Sequence, residues 1–140
     1  MLLGLEADVE SDYHRVLAEF EPIEELGMHC LSVADVLRAH YLVANHFYLQ
    51  GEGIGGLGPR SRELLESAVY RQVAAFGDVI KWDRLFDVTA TLFFGVIKNH
   101  AFHDANKRTA FLSILYQLYQ AGYCPAVDKK QFPLIPLTHV

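Results

Sequence analysis

Apolar residues recur at intervals of three and four along most of the chain, which is the spacing of one face of an α-helix. No stretch alternates between apolar and polar residues for long enough to build a sheet. The periodicity predicts five helices, over about residues 6–20, 32–49, 61–76, 83–98 and 106–121. We therefore predict an all-α fold, a compact helical bundle.

Two of the predicted helix ends carry clear local signals. Ser32 followed by Asp35 is a capping-box pattern, and Leu31 and Val36 stand at the positions of a hydrophobic staple. Gly122 stands just past the last helix, where a left-handed residue commonly ends a helix. These signals fix the start of the second helix and the end of the fifth.

The fifth helix is predicted to be buried at the centre of the bundle. Its apolar residues cover almost the whole circumference of the helix, and a helix with that pattern has no face suited to water. They are Ala110, Phe111, Leu112, Ile114, Leu115, Leu118 and Tyr119.

Residues 51–58 contain five glycines in eight positions, which predicts a tight loop or a short hairpin, here a glycine-rich flap. Gly51, Gly53 and Gly56 formally match the GxGxxG pattern of dinucleotide-binding proteins. That pattern must follow a strand, whereas a predicted helix precedes it here, so the match carries no functional meaning.

Length and composition indicate one soluble domain. The chain has 140 residues, of which 51% are hydrophobic and 21% are charged. A net charge of −5 argues against a basic nucleic-acid-binding face. The longest uncharged apolar run, residues 88–97, is about half the length of a transmembrane helix.

Other features point to the cytoplasm. The first residues lack the basic segment of a signal peptide. Cys30 and Cys124 are too few for a disulfide framework, and buried thiols in a reducing compartment are the simpler interpretation. We predict a cytoplasmic protein that binds neither nucleic acid nor membrane.

Residues 100–109, His-Ala-Phe-His-Asp-Ala-Asn-Lys-Arg-Thr, combine several kinds of functional group. Asn106, Lys107 and Arg108 fall in the first turn of the fifth helix, where unpaired N–H groups and the helix dipole attract anions. Two cations have the wrong sign for this end of a helix unless an anion binds there. This segment therefore predicts a phosphate site.

The preceding positions supply further chemistry. His100 can be neutral at cytosolic pH and accept a proton from a hydroxyl. Asp104 is a hard oxygen ligand that suits Mg²⁺ bridging phosphate oxygens. Phe102 is interpreted as a core residue that anchors the loop. Together these groups suit the transfer of part of a nucleotide onto a hydroxyl.

Structural interpretations compete with these roles. His100 could be a capping or core histidine, and Asp104 could cap the fifth helix. The adjacent pair His103 and Asp104 also resembles that of HD-type phosphohydrolases, which are helical. That class needs further ligands, and His40 and His46 lie in apolar surroundings that give no sign of a metal site.

The decapeptide resembles the signature of the Fic/Doc family, His-x-Phe-x-(Asp/Glu)-(Gly/Ala)-Asn-(Gly/Lys)-Arg. It is most similar to the Doc, or death-on-curing, branch, which has Ala-Asn-Lys-Arg-Thr where Fic proteins usually have Gly-Asn-Gly-Arg. A second block, from Gly55-Gly56 through Gly58-Pro59-Arg60-Ser61 to Leu64-Leu65-Glu66-Ser67-Ala68, supports that branch. The resemblance runs from about residue 32 to residue 122.

The resemblance implies a role for each position. His100 would activate the hydroxyl of a target protein, and Asp104 would bind Mg²⁺. The triphosphate of ATP or another nucleoside triphosphate would be held by Ala105, Asn106, Lys107 and Arg108. The flap that aligns the target would include Gly55, Gly56, Gly58 and Arg60.

The resemblance also implies a reaction. Doc-like toxins phosphorylate a translation elongation factor, whereas Fic proteins transfer AMP. Because Ala105 and Lys107 take room that glycines would leave in the anion hole, we favour phosphoryl transfer by a Doc-like toxin. AMP transfer is the alternative, and a non-catalytic interaction module or degraded toxin is a second.

Two expectations concern organisation and regulation. Residues 1–31 are predicted to form a helical extension before a Fic/Doc domain of residues 32–140, whose C-terminal helices are shortened. No Ser or Thr is followed four residues later by Glu, so the internal inhibitory pattern of some family members is absent. An antitoxin partner is therefore expected.

Overall fold

The computed structural model describes residues 5–27, 29–49, 51, 56–74 and 85–123. They form five helices: α1 (Ala7–Glu19), α2 (Val33–Leu49), α3 (Arg62–Ala74), α4 (Leu85–Lys98) and α5 (Asn106–Gln120). Within these ranges there is no strand, and the one β-type pairing is an isolated antiparallel bridge between Pro59 and Phe102. The all-α prediction is confirmed. The predicted ends of two helices, residues 75–76 and 83–84, lie outside the described residues.

The local end signals behave as the sequence predicts. The N–H of Ser32 donates to Oδ2 of Asp35 at 2.9 Å, and the N–H of Asp35 donates to Oγ of Ser32 at 3.3 Å. This reciprocal pair is the capping box. Gly122 has a φ of +94°, and its N–H donates to the carbonyl of Tyr119 at 3.0 Å. The left-handed end of α5 is therefore also confirmed.

The helices pack around one hydrophobic core. α5 contacts both α2 and α4, α3 packs on α4 and α2, and α1 packs on α2. Helix α1 buries Val9, Tyr13 and Val16 in the same core as the later helices. Just before α1, the N–H of Glu6 donates to Oδ1 of Asn45 at 2.8 Å. Helix α1 thus shares a core with the predicted domain, while the division at residue 31 stays a prediction.

Helix α5 lies between two neighbours, as expected of a central helix, but its buried positions differ from the prediction. The buried residues are Thr109, Ala110, Ser113 and Gln117, whereas Phe111 is 52% exposed and Tyr119 is 46% exposed. Hydrogen bonds make polar burial tolerable here. Gln117 Nε2 donates to the carbonyl of His29 at 2.7 Å, and Ser113 Oγ donates to the carbonyl of Thr109 at 2.8 Å.

Two expectations from composition can be compared with the described part of the chain. No helix there is long and apolar enough to span a bilayer. Cys30 is a free, half-buried cysteine, and burial raises the pKa of its thiol. Cys124 and the whole C-terminal segment 124–140 lie outside the described residues.

Candidate active site

The motif loop, residues 99–105, joins the end of α4 to the start of α5. In it His100 has a left-handed backbone, with a φ of +48°. Its N–H donates to the carbonyl of Ile97 at 3.1 Å, and its carbonyl accepts from Nη1 of Arg60 at 3.3 Å. The side chain is exposed, so His100 is not a core histidine. Its backbone is fixed while its imidazole stays accessible to a substrate.

Phe102 anchors the motif loop to the core, as the sequence predicts. Its side chain is fully buried, and its ring stacks on the imidazole of His40. The two ring centroids lie 4.1 Å apart with an interplanar angle of 11°. The buried ring fixes the middle of the loop, between His100 and Asp104.

The side-chain amide of Asn106 provides a second anchor for the loop. The N–H of Phe102 donates to Oδ1 of Asn106 at 2.8 Å, and Nδ2 of Asn106 donates to the carbonyl of Phe102 at 3.0 Å. The sequence predicts a phosphate contact from Asn106, but its amide is engaged within the loop. The group left for an anion is its backbone N–H, in the first turn of α5.

Helix α5 begins after Ala105, which has a φ of +62° and supplies no side-chain cap. Oδ1 of Asp104 accepts from the N–H of Ala105 at 2.7 Å, and Asp104 lies one residue before the N-cap position of α5. The first turn contains no acidic residue, and Lys107 and Arg108 there are both exposed. A helix N-terminus with two cations and no acid favours a bound anion.

The predicted catalytic, metal-binding and phosphate-binding residues line one open depression of about 430 Å³, a volume within the range of small-ligand sites, whereas Phe102, Gly56, Gly58 and Arg60 do not line it. Its lining consists of His100, His103, Asp104, Ala105, Asn106, Lys107 and Arg108. The guanidinium of Arg108 lies over the ring of Phe47 in α2, 4.5 Å from its centroid. The depression therefore brings together the accessible imidazole, the carboxylate and the α5 N-terminus.

The end of the glycine-rich segment pairs with the motif loop. We call this end, residues 56–60, the glycine loop. The N–H of His103 donates to the carbonyl of Gly58 at 3.2 Å, and the N–H of Arg60 donates to the carbonyl of Ala101 at 2.8 Å. The isolated bridge lies between these two bonds. The sequence did not indicate that Arg60 would also hold the backbone of His100.

Two glycines of this loop lie close to other residues. Gly56 has a φ of +154°, and a Cβ there would lie 3.0 Å from Cβ of His103. Gly58 has a φ of +84°, and a Cβ there would lie 2.9 Å from Oη of Tyr41. Both contacts and the left-handed φ of Gly58 favour glycine. Gly55 lies outside the described residues, and the role of this segment in aligning a target stays a prediction.

Two buried polar residues of α2 adjoin the site, and the sequence did not indicate a supporting role there for either of them. Tyr41 is fully buried and donates from Oη to Oδ2 of Asp12 at 2.6 Å. His40 is also fully buried, and its two ring nitrogens contact Gly58 and Thr109. The partners of both side chains lie far away in sequence, so the apolar sequence around residues 40 and 41 did not indicate these hydrogen bonds.

The HD-type alternative gains no support from these contacts. It would use the nitrogens of His40 as metal ligands, but both take part in hydrogen bonds within the protein. Among the described residues, no group of three or more His, Cys, Asp or Glu side chains could hold a metal ion.

The free energy of unfolding is predicted to fall between pH 6.5 and 4.5 because of His40. Burial lowers the pKa of His40 to about 3, although Asp12 and Asp104 oppose that shift, while His103 adds to it. Between the unfolded pKa of about 6.5 and the folded value, the unfolded chain binds the extra proton. The contribution of His40 to the free energy of unfolding is therefore fully present above pH 6.5. It is lost as pH falls, by up to about 1.4 kcal/mol per pH unit.

Urea unfolding at several pH values, for wild type and His40→Gln, measures this effect. Gln does not titrate, so the difference in unfolding free energy between the two proteins should narrow as pH falls toward 4.5. The carboxyl of Asp12 acts at lower pH, because burial alone would raise its pKa but hydrogen bonds from Tyr41 and Arg15 lower it. If the unfolding free energies of wild type and His40→Gln change in parallel between pH 6.5 and 4.5, His40 is not the group responsible.

Comparison with known proteins finds a family whose match includes all residues that line the depression. The family model described as the Fic/DOC family matches residues 30–118. The toxin Doc of Mycolicibacterium smegmatis (strain ATCC 700084 / mc(2)155) is 38% identical over 74 residues. That match covers 53% of this chain and 57% of the relative, so the chain spans little more than half of that protein's length. No solved structure matches the chain. The family match includes the glycine loop, the motif loop and nearly all of α5, and the chain belongs to the Fic/Doc family.

Proposed function

We propose that this protein is a Doc-like toxin that transfers a phosphoryl group from Mg·ATP, or another nucleoside triphosphate, to a hydroxyl of a target protein. The observation that carries the proposal is the single depression shared by His100, Asp104 and the N-terminus of α5. The likeness to the toxin Doc supports the assignment as a toxin. The proposed target is a translation elongation factor, which is what the motif's resemblance to Doc-like toxins implies.

His100 is the proposed general base. Its exposed imidazole lines the depression, and Arg60 and Ile97 hold its backbone. The target's hydroxyl oxygen attacks the γ-phosphorus, the bond to the bridging oxygen breaks, and ADP leaves. The imidazole takes the hydroxyl proton as the new P–O bond forms.

The triphosphate is assigned to the start of α5. The backbone N–H groups of the first turn point out of the helix without intrahelical partners. The side chains of Lys107 and Arg108 add two positive charges beside them. Arg108 can contact phosphate oxygens through two N–H groups, whereas Lys107 acts as a point charge. Phe47 supports the guanidinium from the side of α2.

Asp104 fits a Mg²⁺ ligand because it is an exposed carboxylate on the wall of the same depression. Mg²⁺ is usually held by one or two carboxylates together with substrate phosphates. When bound, the ion would neutralise charge on the phosphate oxygens. Asp104 would place it, and the bond from the N–H of Ala105 to Oδ1 would orient the carboxylate.

Asp104→Ala and Asp104→Asn are predicted to weaken nucleotide binding mainly when Mg²⁺ is present. Both variants lose the anionic ligand, but Asn keeps an oxygen that can accept from the N–H of Ala105. Calorimetric titrations with ATP, with and without Mg²⁺, measure the difference. If Asp104→Asn binds Mg·ATP like wild type while Asp104→Ala does not, the carboxylate orders the loop and is not a metal ligand.

Phosphoryl transfer is preferred over AMP transfer because of Ala105 and Lys107. Both side chains line the depression where glycines would leave room for a deeper triphosphate. With that room taken, the γ-phosphate rather than the α-phosphate would face the hydroxyl. Intact-mass analysis of a bacterial extract incubated with the protein and Mg·ATP tests the function. An added phosphate supports the proposal, an added AMP favours the alternative, and no adduct favours the non-catalytic module.

An antitoxin is the proposed inhibitor, because the sequence lacks the internal inhibitory pattern. Expression of the wild-type chain alone is predicted to arrest bacterial growth, and expression of His100→Ala is predicted not to. Growth curves with matched soluble protein levels measure this. Normal growth with soluble wild-type protein would contradict the toxin assignment.

A further inference from the structure

His40 connects three segments that surround the proposed site, although its ring does not line the depression. Its Nε2 accepts from the N–H of Gly58 at 2.9 Å, in the glycine loop. Its Nδ1 lies 3.1 Å from Oγ1 of Thr109, in α5. Its ring face stacks on Phe102, in the motif loop. One fully buried side chain thus contacts every element that contributes to the site.

The contacts also define the state of the ring. Because Nε2 accepts a hydrogen bond, the neutral imidazole carries its proton on Nδ1 and donates it to Thr109. Both polar atoms of the buried ring are satisfied, and a positive charge would remove the acceptor that Gly58 needs. A buried apolar residue would avoid the cost of burying an imidazole, so packing alone does not account for a histidine here.

Of the three contacts of His40, the one with Gly58 has the shortest connection to the proposed base, His100. Gly58 lies two residues before Arg60, whose guanidinium holds the carbonyl of His100. The carbonyl of Gly58 accepts from the N–H of His103 in the motif loop. Helix α5 is held by its packing on α2 and α4, whereas the glycine loop is joined to its neighbours by individual hydrogen bonds of Gly58 and Arg60. Loss of the acceptor at Nε2 would therefore displace the glycine loop before it displaces α5.

We propose that His40 is a positioning residue that sets the glycine loop against the motif loop, and so sets where the target's hydroxyl lies relative to His100. This inference rests on the proposed function. It assigns His40 to target alignment and not to nucleotide binding, because the packing of α5 on α2 and α4 would hold the start of α5 without His40. A misplacement of about 1 Å can cost about 10²-fold in rate.

A matched pair of variants separates the two ring nitrogens. The amide oxygen of Gln can occupy the position of Nε2 and accept from Gly58, whereas Asn reaches only the position of Nδ1 and can contact only Thr109. His40→Asn should lose about 10²-fold in the turnover of the target, with nucleotide affinity within about twofold of wild type. His40→Gln should retain most of the turnover. Equal losses of turnover in the two variants, or a parallel loss of nucleotide affinity, would overturn the proposal.

Amide hydrogen exchange supplies a readout that needs no target and no activity. In His40→Asn the amides of Gly58 and His103 should exchange faster than in His40→Gln, while that of Val69 in α3 should not change. If the wild type transfers nothing, the proposed function fails, and this comparison still decides whether His40 places the loop. Equal exchange of the Gly58 amide in both variants would overturn it.

The wild-type protein provides a measurement that does not depend on the folding of any variant. In uniformly ¹⁵N-labelled protein, the bond from Gly58 to His40 should give a through-hydrogen-bond coupling between the two nitrogens. The ring should also show the tautomer protonated at Nδ1. Absence of the coupling, or a proton on Nε2, would contradict the proposed link.

Discussion

His100→Ala is expected to abolish transfer to the target while leaving the fold intact. Removal of a general base typically lowers the rate by about 10²- to 10⁴-fold. The imidazole is exposed, and the hydrogen bonds of residue 100 involve its backbone, so stability should change by no more than about 0.5 kcal/mol. Turnover measured by mass spectrometry, together with urea unfolding, checks both parts of this expectation.

His103→Ala is the matched control, because His103 is also exposed and lines the same depression. Its backbone N–H, which bonds to Gly58, is kept by alanine. This variant should retain turnover within about tenfold of wild type. Retention of more than about a tenth of the activity by His100→Ala would show that His100 is not the base. A larger loss in His103→Ala than in His100→Ala would transfer that role to His103.

Replacing Ala105 and Lys107 together by glycine is expected to shift the reaction from phosphoryl transfer toward AMP transfer. Without these side chains the triphosphate can enter more deeply, and the α-phosphate would face the hydroxyl. His100 and Asp104 would serve both reactions, because in-line geometry selects the phosphorus that is attacked. Mass spectrometry of the modified target distinguishes the two adducts.

The fold should tolerate this double change. Ala105 has a φ of +62°, where glycine removes a strain of about 1–2 kcal/mol. Glycine at position 107, in a helix, costs about 1 kcal/mol, so the two effects nearly offset. Lys107→Met, with Ala105 kept, is the control because it removes the charge and keeps most of the volume. Phosphoryl transfer by Lys107→Met supports the steric account, while AMP adducts from the wild type would show that the preferred reaction is wrong.

The sequence determined the parts of the fold that depend on neighbouring residues. Helical periodicity placed all five helices, because the spacing of apolar residues within a helix is a local property. The capping box at Ser32 and the glycine at position 122 are equally local, and both are confirmed. The proposed site residues from 100 to 108 also lie together because a short loop and one helical turn cannot separate them.

Periodicity did not determine which face of α5 is buried. Its apolar side chains surround the helix, so the pattern predicted a buried Phe111 and gave no indication that Ser113 would be buried. The structure exposes the first and buries the second, and the buried donors are paired: Oγ of Ser113 with the carbonyl of Thr109, and Nε2 of Gln117 with the carbonyl of His29. The bond from Gln117 depends on the packing of α5 against a distant part of the chain, whereas the bond from Ser113 lies within the helix.

Only the tertiary structure decided how the site is supported. Arg60 reaches the carbonyl of His100 across 40 positions, and His40 reaches Gly58 across 18 and Thr109 across 69. A hydrogen bond requires its donor and acceptor to lie about 3 Å apart, and a sequence carries no distance between residues so far separated. The sequence by itself specified the chemical groups of the site, while the packing of α2 and the glycine loop against the motif loop decided which of those groups face the depression and which hold it in place.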